Sequence, residues 1–186
     1  MAGNRERSRT RSRRIAFCAM IVALSTALML SGGLIPIATY CAPMFCALLL
    51  LPILMEYGKK TAWTAFAATA IITLLLDIDK EAAFFYLFIG HYPLLKWEIE
   101  RIKNKPLKFA LKLAVFNISL LAMYLLLGLV LNMDAVMAEF AQMGTILLVV
   151  FIVALNLCLL LYDRLIFPMM ILYDRKFRPR LRSLLK

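Results

Sequence analysis

The lysines and arginines of this chain lie between apolar runs, and their distribution constrains the fold more than any other feature. There are 22 of them, and one simple topology places all except Lys80 on the same side of a membrane. Each apolar run is about 16–25 residues long, which suits a hydrocarbon core about 30 Å thick. Because positive charge is retained on the cytoplasmic side during insertion, the pattern predicts orientation as well as span number.

Composition agrees with a membrane protein and excludes a soluble globular domain. The 186 residues are 63% hydrophobic, with mean hydropathy +0.83 and only 18% charged residues. The net charge of +11 follows the ends of apolar runs, so it predicts contact with an anionic lipid surface rather than with nucleic acid. The single histidine and four scattered cysteines lack metal-ligand spacing, so we expect no metal and no cofactor.

The run lengths predict an all-α fold of six transmembrane helices with both termini cytoplasmic. The expected spans cover residues 15–31, 34–55, 61–76, 82–97, 107–131 and 143–162. We expect a basic disordered tail over residues 1–14, one compact six-helix domain over 15–174, and a basic tail over 175–186. Pro43 is expected to kink or break the second span, and Tyr92-Pro93 to end or bend the fourth. The loop at 132–142, with Asp134 and Glu139, is expected outside.

Small residues recur at four-residue spacing on the first helix, at Ala19, Ala23 and Ala27. Such a smooth stripe lets another helix approach closely. Two interpretations remain open, which are packing within the bundle of this chain and docking to a separate membrane subunit.

The loop between the third and fourth spans holds the densest polar group expected on the outer side, namely Asp77, Asp79, Lys80 and Glu81. Thr39 and Tyr40, near the outer end of the second predicted span, are candidates to face the same place. The group is interpreted as solvated loop charge, as an ion pair that fixes the loop, or as a site for a polar or zwitterionic small molecule.

Three polar residues lie deep in three different predicted spans, namely His91, Asn117 and Asn156. Their depths from the inner ends predict one shared layer. Polar groups inside a membrane usually bond to one another, so we interpret them as interhelical hydrogen-bonding residues, with a proton or substrate relay as the alternative. The sequence contains no phosphate loop, nucleophile motif or metal motif, so an enzyme is not expected.

Six short helices, the alanine stripe, a proline-broken second span and a basic inner rim together resemble the substrate-binding S components of energy-coupling factor (ECF) transporters. The segment from Asp79 to Lys96 also resembles uncharacterised bacterial membrane proteins of this type. The resemblance implies a bacterial inner-membrane subunit that captures a vitamin or precursor. Ala19, Ala23 and Ala27 would contact a transmembrane scaffold subunit that is driven by two cytoplasmic ATPases.

On this resemblance, the small-molecule ligand would bind near the outer face. The loop from Asp77 to Glu81 and the outer ends of spans five and six would surround it, with Tyr40 nearby and the rings of Tyr86 and Tyr124 packing against it. The competing hypothesis is a membrane scaffold without transport activity. The rod-shape protein MreD, which has comparable size and span number, is an example of this class.

Overall fold

The computed structural model of the chain describes residues 2–32, 38–76, 79–129 and 144–179, and in these ranges every regular element is helical. The predicted all-α class is therefore confirmed for the described residues. The helices are α1 (Ala2–Gly32), α2 (Ala38–Leu48), α3 (Leu50–Tyr57), α4 (Lys59–Leu76), α5 (Lys80–Ile89), α6 (Tyr92–Ile99), α7 (Lys105–Leu129) and α8 (Thr145–Leu172), and α8 continues into a π-helical turn (Tyr173–Phe177).

Four helical stretches are long and apolar enough to cross a membrane, which supports a membrane-embedded protein. They are Ser8–Gly32, Thr39–Tyr57, Lys105–Leu126 and Ile146–Phe177. The third predicted span corresponds to α4, and the fourth to the pair α5 and α6, neither of which is among these four stretches. The count of six spans and the cytoplasmic location of both termini stay predictions.

The basic N-terminal segment differs from its prediction. Helix α1 begins at Ala2, so residues 2–14 are helical in the structure, whereas the sequence predicts disorder. The physical reason is cooperative propagation. The apolar run from Ile15 onward supplies the nucleus of the helix, and arginine, which is frequent before it, is a good helix former.

Prolines explain where the apolar runs are interrupted. A proline ring clashes with the carbonyl group four residues earlier and leaves it without a helical partner. Pro52 acts in this way on Leu48, where α2 ends, and Pro93 acts on Ile89, where α5 ends. Pro43, predicted to break the second span, lies inside α2 and affects only the carbonyl group of Thr39 in the first turn.

The single six-helix domain over residues 15–174 stays a prediction. The described residues pack into two compact units. The first, the N-terminal unit, contains the residues up to Leu94 together with those from Pro168 onward. In it, α1 packs against α2 and α4, α3 packs against α4, and α5 packs against α2 and α4. Its fully buried side chains include Met29, Leu50, Ile53, Ala62 and Ala83.

The second, the central unit, covers Leu95 to Phe167 and contains α7 with most of α8. Helix α7 buries residues at alternating spacings of four and three, namely Lys112, Phe116, Ser119 and Met123. Helix α8 buries Leu159, Tyr162, Asp163 and Ile166. Each stripe is what is expected of a helix that buries one side. Two of the eight residues are charged.

Candidate functional site

The N-terminal end of α5 lies against the start of α2. Thr39 Oγ1 donates a hydrogen bond to Asp79 Oδ2 at 2.8 Å, and the Tyr40 hydroxyl donates to Glu81 Oε1 at 2.5 Å. Two hydrogen bonds thus join residues that are about forty positions apart in sequence. We call Thr39, Tyr40, Asp79, Lys80 and Glu81 the loop cluster. The structure brings together these polar residues, which the sequence singles out, whereas Asp77 lies outside the described residues.

Most polar atoms of the loop cluster already have partners in the protein. Asp79 is the N-cap of α5, and its Oδ1 accepts a hydrogen bond from the amide of Ala82 at 3.2 Å. Lys80 Nζ donates to the carbonyl oxygen of Leu74 at 2.9 Å, in the last turn of α4, where the helix dipole favours a cation. These hydrogen bonds hold the N-terminal end of α5 against α2 and α4, which agrees with a structural role.

The rings of Tyr86 and Tyr124, expected to pack against a ligand, belong to different units of the structure. Tyr86 is fully buried in the core of the N-terminal unit, where its ring lies 5.5 Å from that of Phe66. Tyr124 belongs to the central unit and is half-buried. The ring beside Tyr40 is instead Phe85, at 5.5 Å in an edge-on contact. Sequence reasoning missed it because consecutive residues of a helix point about 100° apart.

Polar side chains from four helices are fully buried in the N-terminal unit, namely Ser25, Cys46, Thr69 and Tyr86. The Cys46 thiol donates to the carbonyl oxygen of Ser25 at 3.2 Å. The Tyr86 hydroxyl lies beside the Thr69 side chain, whereas Ser25 Oγ has no hydrogen-bond partner among the described residues. A buried hydroxyl without a partner costs about 1–3 kcal/mol. A polar atom of a bound molecule would offset this cost.

The alanine stripe of α1 faces away from the core. Ala19, Ala23 and Ala27 are all exposed, whereas the opposite side of the helix is buried through Phe17, Ile21, Ser25 and Met29. No described residue covers the stripe closely enough to bury it. The stripe is therefore available for contact with lipid or with another helix.

The deep polar residues fall into both units. Asn117 and Asn156 exchange hydrogen bonds at 2.9 and 3.3 Å, and each amide also donates to the carbonyl oxygen four residues earlier in its own helix. All four amide hydrogens are thereby used, so the pair joins α7 to α8.

His91 belongs to the N-terminal unit, where its ring centroid lies 6.2 Å from that of Trp63 and 6.1 Å from that of Phe66. A layer shared by all three stays a prediction.

A charged cluster in the central unit was missed by the sequence reasoning. Lys96 Nζ contacts Asp163 Oδ1 at 2.8 Å and also the backbone carbonyl oxygen of Asp163, while Lys112 Nζ contacts Asp163 Oδ2 at 2.8 Å. The three residues are at most 9% exposed. One carboxylate thus holds two buried ammonium groups, and we call these three residues, with Glu100 and Lys108, the lysine–carboxylate cluster.

Glu100 extends the cluster towards solvent. Its Oε1 lies 2.7 Å from Lys112 Nζ and its Oε2 lies 2.9 Å from Lys108 Nζ, so both oxygens are occupied. The hydrogen bonds from Lys112 and Lys108 lower the pKa of Glu100 below its usual value. The available sequence signal was Lys112, a charged residue inside an apolar run four positions after Lys108. In the part of the chain that the structure describes, no group of three histidine, cysteine or acidic side chains is placed to hold a metal.

Comparison with known proteins identifies no relative of this chain. No protein-family model matches the chain, and no curated protein or solved structure gives a significant match.

Proposed function

We propose that this chain is the substrate-binding membrane subunit of a small-nutrient importer of the ECF type, in the inner membrane of a bacterium. The nutrient would be a vitamin or a precursor of one. On this proposal the chain binds the nutrient, and a transmembrane scaffold subunit with two cytoplasmic ATPases supplies the energy. Both termini lie in the cytoplasm and the chain crosses the membrane six times.

The observation that carries the proposal is the exposed alanine stripe of α1. Lipid is as apolar as a leucine-rich helix surface, so helices in a membrane associate through close backbone approach and dispersion. Small side chains at Ala19, Ala23 and Ala27 permit that approach, and they lie opposite the buried face of α1. The stripe is thus a surface suited to a second membrane protein.

The loop cluster and the buried hydroxyls of the same unit support a polar ligand. Tyr40 and Glu81 are both accessible, and their hydrogen bond is exposed, so an incoming polar molecule can compete for either group. The Ser25 hydroxyl is buried without a partner among the described residues, and the Tyr86 hydroxyl is buried beside Thr69. A ligand whose polar atom reaches the Ser25 hydroxyl gains a hydrogen bond without displacing a protein one.

The test is recovery of the transport complex. The full chain, tagged and solubilised from its native membrane, should co-purify with a scaffold subunit and two ATPases, and a small molecule should be found in the preparation by mass spectrometry. Ala23→Leu should abolish co-purification, since a bulky side chain holds the partner helix away. The variant should still be inserted and bind the small molecule.

Ala67→Leu is the matched control. Ala67 is an exposed alanine on α4 of the same unit, so the substitution adds the same bulk to a different face. Unchanged complex recovery with Ala67→Leu and lost recovery with Ala23→Leu supports the proposal. Co-purification of envelope-assembly proteins in place of ATPases would contradict it and favour the scaffold hypothesis.

A further inference from the structure

An open groove of about 400 Å³ lies in the N-terminal unit, between the end of α3 and the end of α8. Its volume falls in the range of small-molecule sites. The groove is lined by Met55, Met170, Ile171, Asp174, Arg175 and Arg178. Three of these side chains are apolar and three are charged, so the groove has both an apolar and a charged part.

The groove lies where two apolar stretches end together. Thr39–Tyr57 and Ile146–Phe177 are both long and apolar enough to cross a membrane. Met55 is close to the end of the first, and Arg175 is close to the end of the second. In a bilayer, hydrocarbon gives way to phosphate headgroups at the ends of such spans. The lining of the groove changes in the same order, from the apolar side chains of methionine and isoleucine to the charged side chains of arginine.

The charged end is held in position by ion pairs. Arg178 Nε lies 2.8 Å from Glu56 Oε1, and Arg178 Nη1 lies 2.6 Å from Asp174 Oδ1. These contacts orient a guanidinium group that has five N–H donors, more than the two carboxylate contacts use. Arg175 is exposed and makes no ion pair with the residues that the structure describes. Arginine is well suited to bind phosphate oxygens.

The backbone at this point is unusual. Residues Tyr173–Phe177 form a π-helical turn, which changes the angular positions of the residues that follow it. Such turns are rare and occur frequently at functional sites. Here the turn contains Asp174 and Arg175, and Arg178 follows it directly, so the lining of the groove depends on it.

We propose that this groove binds one anionic glycerophospholipid, with its phosphate against Arg175 and Arg178 and an acyl chain along Met55, Met170 and Ile171. The site goes beyond the proposed transport function and does not depend on it. A soluble anion would use only the charged end, and the apolar lining favours a molecule with a hydrocarbon chain. Basic pockets at the ends of membrane helices are suited to anionic headgroups.

The test uses the purified full chain in detergent. Native mass spectrometry would measure binding of dioleoyl phosphatidylglycerol and of dioleoyl phosphatidylcholine, which share acyl chains and phosphate but differ in net charge. We expect phosphatidylglycerol to bind more tightly. Arg175→Gln should weaken its binding about fivefold, the effect of one basic residue near an anionic surface. Arg178→Lys, which keeps the charge, should have the smaller effect.

Arg101→Gln is the matched control, because it removes one exposed arginine from the central unit. It should leave phosphatidylglycerol binding unchanged. The proposal is overturned if the wild-type chain shows no preference between the two lipids, or if Arg175→Gln and Arg101→Gln weaken binding equally. Competition by glycerol 3-phosphate at the concentration of the lipid would also overturn it, since that result assigns the groove to a soluble phosphate.

Discussion

Lys112 Nζ lies 2.8 Å from Asp163 Oδ2, and both side chains are buried where α7 packs against α8. Lys96 contacts the other oxygen of the same carboxylate. Burial of an ion pair costs several kcal/mol of desolvation for each ion, and good geometry offsets this only when the other hydrogen-bonding groups are satisfied. Asp163 is therefore the residue on which the burial of two lysines depends.

Asp163→Asn should destabilise the protein by about 3–5 kcal/mol, because it leaves two buried ammonium groups without their main counter-charge. The thermal unfolding midpoint of the chain in detergent measures this. Asp174→Asn, in the π-helical turn that follows α8, is the control. The Asp174 side chain is 50% exposed and pairs with Arg178, so its loss should cost less than about 1 kcal/mol. Equal effects of the two variants would contradict the role assigned to Asp163.

The stability that Glu100 provides should depend on pH. Hydrogen bonds from Lys112 and Lys108 lower its folded-state pKa below the ordinary value of 4.5. A carboxyl group with a lowered folded pKa stabilises the protein above the unfolded pKa, and this contribution is lost as pH falls through the folded pKa. The unfolding midpoint of the wild type should therefore exceed that of Glu100→Gln at pH 7 and approach it as pH falls below 4.5.

The neighbouring substitution Glu98→Gln sets the baseline for that comparison, since it removes one exposed carboxylate from the same segment. A difference between the wild type and Glu100→Gln that stays constant from pH 7 to well below 4.5 would show that charge on Glu100 does not contribute.

The helical class and several helix ends were predictable from the sequence because they depend on local properties. The apolar run that ends at Leu76 ends at the same residue as α4. The apolar run that ends before Gly33 ends where α1 does, at Gly32. The second span was predicted to kink or break at Pro43, whereas α2 continues past Pro43 to Leu48. Proline acts on the residue four positions earlier, so Pro52 rather than Pro43 decides where α2 ends.

The candidate sites show the same division between local and tertiary information. The loop cluster was predictable in part because Asp79, Lys80 and Glu81 are adjacent in sequence, at the start of α5. The lysine–carboxylate cluster was not, because Lys96 and Asp163 are 67 positions apart and Lys112 and Asp163 are 51 apart. Each charge taken alone resembles the basic or acidic flank of a span. Only the packing of α6, α7 and α8 shows that they meet.

Gly90→Ala should destabilise the N-terminal unit by about 1–3 kcal/mol, the usual cost of overpacking. A Cβ atom at Gly90 would lie 2.5 Å from the carbonyl oxygen of Tyr86 and 2.9 Å from two carbons of its ring. The oxygen belongs to the backbone of α5 and cannot move without disturbing the helix. The midpoint of thermal unfolding in detergent provides the measurement.

The corresponding control is Gly144→Ala, where a Cβ atom would meet nothing within 4 Å. Its φ angle is not in the left-handed region, so alanine is tolerated there. A Gly90→Ala protein as stable as the Gly144→Ala protein would mean that the turn between α5 and α6 relaxes to accept the methyl group.

The amide pair of Asn117 and Asn156 should show a measurable coupling energy. Alanine substitutions at the two positions, made singly and together, form a double-mutant cycle. We expect a coupling of about 0.6–1.7 kcal/mol, the range for interhelical hydrogen bonds in membrane proteins. Each single substitution leaves the remaining amide with only the bond to its own helix, so it should cost nearly as much as the double substitution.

Leu121→Ala and Leu157→Ala, at exposed positions on the same two helices, should combine additively. Additive behaviour of the asparagine pair as well would mean that lipid or water satisfies the amides equally well when they are apart.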